Sequence, residues 1–187
     1  MSKLEEKKLS GSVVYAGKFL AVHKDKVRLP DGSQTEREYV HHPGAVGVVA
    51  LTETGEVLLE RQHRYPLRQD FIEIPAGKID PGEAQLETAK RELLEETGYA
   101  AAEWIRLGLI HNAIGYSDES IELWLAKGLE KREAKLDAGE FLEVFTLPFG
   151  EALAMAEDGQ ISDVKTIIGL FWARRATAGK SGSDPDS

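Results

Sequence analysis

The stretch GKIDPGEAQLETAKRELLEETGY, Gly77 to Tyr99, sets Glu83, Arg91, Glu92, Glu95 and Glu96 between two glycines, Gly77 and Gly98, at intervals that suit a divalent-cation site. Residues three and four apart share one face of a helix, so Glu92, Glu95 and Glu96 aim their carboxylates at one place while Leu86, Ala89 and Leu93 turn toward the core. Like charges so placed repel by roughly 0.2–0.5 kcal/mol per pair on an exposed helix, and something must compensate. Arg91, four residues before Glu95 and four after Glu87, supplies part of the counter-charge. A divalent cation would supply more. Oxygen-only donors, with neither cysteine nor histidine in the run, suit Mg²⁺, Mn²⁺ or Ca²⁺ rather than zinc, and Mg²⁺ typically sits between one or two carboxylates and a substrate's phosphates. A glutamate-rich run in an acidic chain is ordinarily a solvated helix face. Seven positions matching together make that reading a poor account of this run.

These residues need a helix with defined ends. Asp80-Pro81-Gly82-Glu83 predicts a capping box, with Asp80 as N-cap, proline at the first helical position and glutamate three after the cap. Gly98 suits the left-handed position that closes the helix. Upstream, Phe71 to Pro75 reads as a short strand stopped by proline. Ala76-Gly77 follows as a tight loop whose bare backbone can approach a ligand. The predicted unit is strand, loop, helix.

Gly77, Glu83, Arg91, Glu92, apolar Leu93, Glu95, Glu96 and Gly98 together match the Nudix box, with Tyr99 at a closing position more often held by Ile, Leu or Val. The chain thus resembles the Nudix hydrolases, which cleave a nucleoside diphosphate linked to another moiety. The resemblance covers at least residues 45 to 99. Ala45 to Leu51, Val57 to Pro66 and Glu73 to Asp80 look like the ADP-ribose pyrophosphatase branch.

The resemblance implies Glu92 and Glu96 as direct Mg²⁺ ligands, Mn²⁺ being a possible substitute, with Glu95 and the Ala76 carbonyl completing the site. Arg91 would orient the carboxylates, and Glu83 would be a supporting or additional metal contact. Glu140, in the acidic segment Leu136 to Glu143, is the implied water-activating base, with Glu143 second. Arg64 suits a phosphate clamp because a guanidinium binds phosphate bidentately, although a surface ion pair is the plain alternative. Glu73, in the same branch pattern, joins it as a substrate-binding candidate. The loop His111 to Glu119 matches the branch's specificity loop at Gly115, Ser117, Asp118 and Glu119, but Ala113 and Ile114 replace the usual serine and proline. Ser117 and Glu119 are its substrate-contact candidates. The resemblance also implies an N-terminal layer that contributes to the base site across a homodimer, with Phe19, Arg37 and Glu38 as candidates.

Composition agrees with this reading. A chain of 187 residues, 42% hydrophobic, can bury one sizeable core. It contains no run of eighteen apolar residues and its N-terminus lacks a signal peptide's apolar core, so a soluble, cytoplasmic protein is expected, without a membrane partner. The absence of cysteine excludes disulfides, thiolate metal sites and cysteine nucleophiles. A net charge of -9 argues against a nucleic-acid partner. An acidic enzyme acting on an anionic diphosphate must therefore carry local positive charge and metal.

Alternating patterns predict strands over Ser10 to Val27 and Gln34 to His41 with a turn at Pro30 to Ser33; an apolar strand follows at Ala45 to Leu51, and further strands are expected at Val57 to Gln62, Trp104 to Ile110, Ile121 to Lys127 and Leu142 to Leu147. Helices are expected at Phe149 to Asp158 and Asp163 to Arg175. The five histidines show no metal-ligand spacing, and Trp104, Trp124 and Trp172 read as packing residues. The fold class is α/β: an α/β/α sandwich of mixed sheet with an N-terminal antiparallel strand layer. Expected boundaries are 1–42 for that layer, with a dimerisation role, 43–175 for the catalytic domain and 176–187 for a disordered tail. The expected activity is Mg²⁺-dependent hydrolysis of ADP-ribose to AMP and ribose 5-phosphate. Another nucleoside diphosphate derivative as substrate, or an ADP-ribose sensor without catalysis, are the alternatives.

Overall fold

The structure is a computed structural model and describes residues 2–17, 20–134 and 141–178. It resolves into two compact units, one of Met1–Gly44 with His111–Ser120 and one of Ala45–Ile110 with Ile121–Ser187.

The first unit is an antiparallel sheet, ordered β1 (Lys7–Ala16), β2 (Ala21–Arg28), β3 (Gln34–His41). The single run expected over Ser10 to Val27 is two strands, because the chain reverses after Ala16 and the Gly17 N–H closes on the Leu20 carbonyl at 2.8 Å. Asp25, almost wholly buried, takes the Lys8 ammonium at 2.8 Å and the Tyr39 hydroxyl at 3.4 Å.

The second unit holds two sheets and three helices. A mixed sheet runs β7 (Ala76–Lys78), β4 (Ala45–Ala50), β9 (Ser120–Lys131), β8 (Tyr99–His111), with β4 parallel to β9 and antiparallel to β7. An antiparallel sheet runs β10 (Leu142–Pro148), β5 (Glu56–Arg64), β6 (Gln69–Glu73). The helices are α1 (Gln85–Thr97), α2 (Phe149–Glu157) and α3 (Val164–Ala178). Strand β4 is buried at every position, as its unbroken apolar sequence requires of a strand covered on both faces. Val46, Val48 and Ala50 pack with Ala89 and Leu93 of α1, while Ala45 and Val49 pack with Ala152, Leu170 and Ala173 of α2 and α3. Leu86, expected in this core, is only half-buried. Trp104 and Trp124 border the α1 side and Trp172 the other, as packing residues.

Three local expectations are corrected. Asp80 to Glu83 is not a capping box: α1 starts at Gln85 with Ala84 as N-cap and without a side-chain cap. Instead the Glu83 N–H bonds the Asp80 carbonyl at 3.0 Å, and Gly82 has φ +83°, giving a turn with proline then positive-φ glycine at its centre. Ala76-Gly77 is not a loop but the start of β7, paired residue for residue with Gly47 and Val46. The tail does not start at Ala176, since α3 continues through Ala178; residues 179–187 lie outside the described residues. Gly98 closes α1 as expected, with φ 72° and its N–H on the Leu94 carbonyl at 2.9 Å. Among the described residues no helix is long and apolar enough to cross a membrane.

Candidate active site

The site is built where α1 lies over β7 and β4. Ala89 and Leu93 bury one stripe of the helix, so Glu92 and Glu96 face the β7 backbone, with Glu95 held alongside by Arg91. Glu96 is nearly buried, and one carboxylate oxygen accepts the Ala76 N–H at 3.0 Å. Glu92 lies directly over Gly77: a Cβ there would fall 2.0 Å from its carboxyl carbon. Only glycine lets the strand pass so close beneath a carboxylate.

Arg91 gathers the remaining acids. Its Nε and Nη2 donate to the two oxygens of Glu83, both at 3.0 Å; Nη1 donates to Glu92 at 2.8 Å and Glu95 at 3.0 Å; Nη2 also reaches the Lys78 carbonyl at 3.2 Å. Glu87, the other neighbour considered, pairs with Lys90 instead. Thr88 adds a hydroxyl bond to Glu83 at 2.8 Å. The guanidinium bonds, with that hydroxyl behind them, outweigh partial desolvation and hold the Glu83 carboxyl down to about 2, while Glu83 in turn raises Arg91. Because the folded value lies below the ordinary 4.5, the stabilisation is fully present above about pH 5 and is lost as pH falls toward 2. Replacing Arg91 by methionine should therefore lower stability at pH 7 by about 2–3 kcal/mol, the scale of lost hydrogen bonds to charged groups. Thermal melts between pH 7 and 3 should show the gap between variant and parent narrowing on the acid side.

Among the described residues, no three acidic or histidine side chains form a ready-made metal cage. Glu83, Glu92 and Glu95 converge on Arg91 and Glu96 on Ala76. One or two carboxylates beside a bare backbone suit a hard cation that completes its shell with water and phosphate oxygens.

A second cluster stands on the antiparallel β5–β6 pair. Arg64 binds Glu73 bidentately, Nε and Nη2 each at 2.7 Å from one carboxylate oxygen. Glu73 is almost wholly buried. Burial alone would raise its carboxyl, but hydrogen bonds from Arg64 and the Lys165 charge prevail and lower it. Arg64, raised chiefly by Glu73, also feels the charges of Asp163 and Glu96, which couples this cluster to the carboxylates of α1. The surface-ion-pair reading of Arg64 is half right: the guanidinium is paired and still 44% exposed.

The remaining candidates have local partners of their own. In the first unit, Arg37 is held by Glu6 at 2.7 Å and Glu38 lies 3.7 Å from Lys24. Ser117 accepts the Glu119 N–H at 3.1 Å, and Glu119 accepts from Asn112 at 3.1 Å. Asp118 anchors this loop through His41 at 2.6 Å and the His42 N–H at 2.8 Å. Glu143 projects from β10 to Arg61 at 3.1 Å. Glu140 and Phe19 lie outside the described residues. Lys165, which binds Glu73 and Asp163, was not anticipated; a lone lysine at the head of an apolar helix carries no periodic signal. Asp163 with Thr166 three residues on is an N-cap pattern that could have drawn attention to this corner.

Known proteins share this organisation. Residues 41–167 match the NUDIX domain, and residues 6–40 match the nucleoside diphosphate sugar hydrolase N-terminal domain. The ADP-ribose pyrophosphatase of Bacillus subtilis is 40% identical over 174 residues, covering 91% of this chain and 93% of the relative. The methanol dehydrogenase activator of Bacillus methanolicus is 41% identical over 173 residues, covering 91% and 94%. A crystal structure of an ADP compounds hydrolase superposes with a TM-score of 0.84 at 21% identity, covering 97% of this chain and 98% of its own, a likeness of fold.

Proposed function

The chain belongs to the Nudix family of hydrolases, and from that premise we propose that it cleaves the diphosphate of ADP-ribose to AMP and ribose 5-phosphate, using Mg²⁺. The observation that carries the reading is the packing of the Glu92 carboxylate against the bare Gly77 backbone, with Glu96 fixed beside it on the Ala76 N–H. Likeness to the ADP-ribose pyrophosphatase over nearly the whole chain supports the substrate.

Glu92 and Glu96, with the Ala76 carbonyl, would hold the cation, and Glu95 and Glu83 would support it. A divalent ion bound there offsets diphosphate charge and makes water more acidic. The chain's own groups do the rest. Arg91 orients three carboxylates and holds that of Glu83 ionised. Arg64, fixed by Glu73, offers its exposed edge to a phosphate oxygen. Glu140 is proposed to take the proton of the attacking water; Glu143, engaged by Arg61, is the second choice. One P–O bond of the bridge breaks, water oxygen joins that phosphorus, and the bridging oxygen leaves on the other phosphate. Ser117 and Glu119, and Arg37 and Glu38 of the N-terminal sheet, are proposed to contact the rest of the nucleotide within a cytoplasmic homodimer.

The test is hydrolysis of a panel of ADP-ribose, other nucleotide sugars and dinucleotides, with products resolved by chromatography. Metal-dependent release of AMP from ADP-ribose is expected to be fastest. Turnover confined to another substrate would keep the mechanism and overturn the specificity, an alternative favoured by Ala113 and Ile114 in the loop. Binding of ADP-ribose without turnover would point to a sensor.

A further inference from the structure

Lys165 is the feature that the proposed mechanism leaves unused. It is a buried ammonium on α3, 8% exposed, within hydrogen-bonding reach of Glu73 and 3.0 Å from Asp163. A buried ion pair is a poor way to dock a helix, since desolvation offsets most of its attraction. Docking is already served here. Thr166 accepts the Ile74 N–H at 2.9 Å and donates to Asp163 at 2.6 Å, and Asp163 caps the helix through the Thr166 N–H at 3.0 Å. Leu170 and Ala173 complete the apolar contact.

What Lys165 alone adds is a second cation on Glu73. The carboxylate oxygen that accepts from Lys165 is the one that also accepts from Arg64 Nη2, 2.7 Å away. With Lys165 absent, Glu73 would hold Arg64 alone and cancel its charge. With Lys165 present, two cations share that carboxylate, while Asp163 takes part of the lysine charge. Arg64 then keeps more of its charge on its exposed side than it would beside Glu73 alone.

We propose that Lys165 is a positioning residue for the Arg64 clamp, sharing Glu73 so that Arg64 stays oriented and electrically available to a diphosphate. The proposal rests on the reading of Arg64 as the diphosphate-binding group. Its test is a double-mutant cycle of Lys165→Met and Arg64→Met. Two quantities are read: KM and kcat for ADP-ribose, and the affinity for ADP by calorimetry with Mn²⁺. Lys165→Met should weaken ADP binding and raise KM about tenfold with kcat changed less than about threefold. Lys165→Arg should restore most of the loss, and in the Arg64→Met background Lys165→Met should add less than about twofold. If Lys165→Met does not fold, Lys165→Gln goes through the same cycle with the same expected pattern.

Equal losses in both backgrounds, or a fall in kcat at constant KM, would make Lys165 a structural lysine and overturn the proposal. So would an Arg64→Met protein that binds ADP as the parent does, which removes the clamp itself. A parent that binds ADP yet leaves ADP-ribose intact would overturn the substrate reading alone, with the ADP arm of the cycle still deciding for or against Lys165.

Discussion

Replacing Glu96 by glutamine should lower kcat for ADP-ribose by about a thousandfold, on the order of 4 kcal/mol in activation free energy, with little change in melting temperature. Glutamine is nearly isosteric, and its amide oxygen can still accept the Ala76 N–H that Glu96 accepts at 3.0 Å. The β7 to α1 contact therefore survives. What is lost is one negative charge in a nearly buried position, next to bare backbone, where a cation would depend on it. Steady-state kinetics across a Mg²⁺ titration, beside thermal melts, would read both quantities. A glutamine variant with more than about a tenth of parental kcat would remove Glu96 from the metal site, because metal ligands contribute several kcal/mol to transition-state charge stabilisation.

Gly77→Ala is expected to separate activity from stability in the same direction. The added methyl would fall 2.0 Å from the Glu92 carboxyl carbon and its nearer oxygen, so the carboxylate must swing away. That movement is cheap for the fold, since the obstructing group is the end of a flexible side chain and the Gly77 backbone is ordinary strand paired with Val46. It is expensive for a cation site, where a displacement of about 1 Å can cost on the order of a hundredfold in rate. Activity should fall by about that factor and the Mg²⁺ concentration for half-maximal rate should rise, while the melting temperature moves by only a few degrees. Unfolding of the alanine variant with no gain in Mg²⁺ requirement would instead mean that Gly77 serves packing alone.

The carboxylates of α1 were legible because everything that defines them is short in range. Glu92, Glu95 and Glu96 share a helix face by spacing alone, Ala89 and Leu93 mark the opposite face, and Gly98 closes the helix with the left-handed backbone its lack of a Cβ permits. The run Ala45 to Leu51 announced an apolar strand for the same reason, and the structure covers both of its faces. Asp80 to Glu83 was misread because its local pattern fits two structures. Proline followed by glycine serves a helix start or a tight turn, and the turn prevails because Glu83 is drawn to Arg91, a partner two helical turns further on.

The sequence by itself determined the class of chemistry: which residues are acids, how they are spaced on one helix, and that a bare glycine backbone before the helix can approach a ligand. Only the tertiary structure decided which backbone that glycine belongs to, a strand paired with β4, and which charges meet around Glu73. Lys165 reaches Glu73 of β6, and Thr166 reaches Ile74 just beyond it, each from 92 residues along the chain. Helical spacing encodes neighbours within about two turns. A contact between separate elements is set instead by sheet register and by how the apolar faces of β4, α1 and α3 must close on one another, and no local pattern in the chain records that.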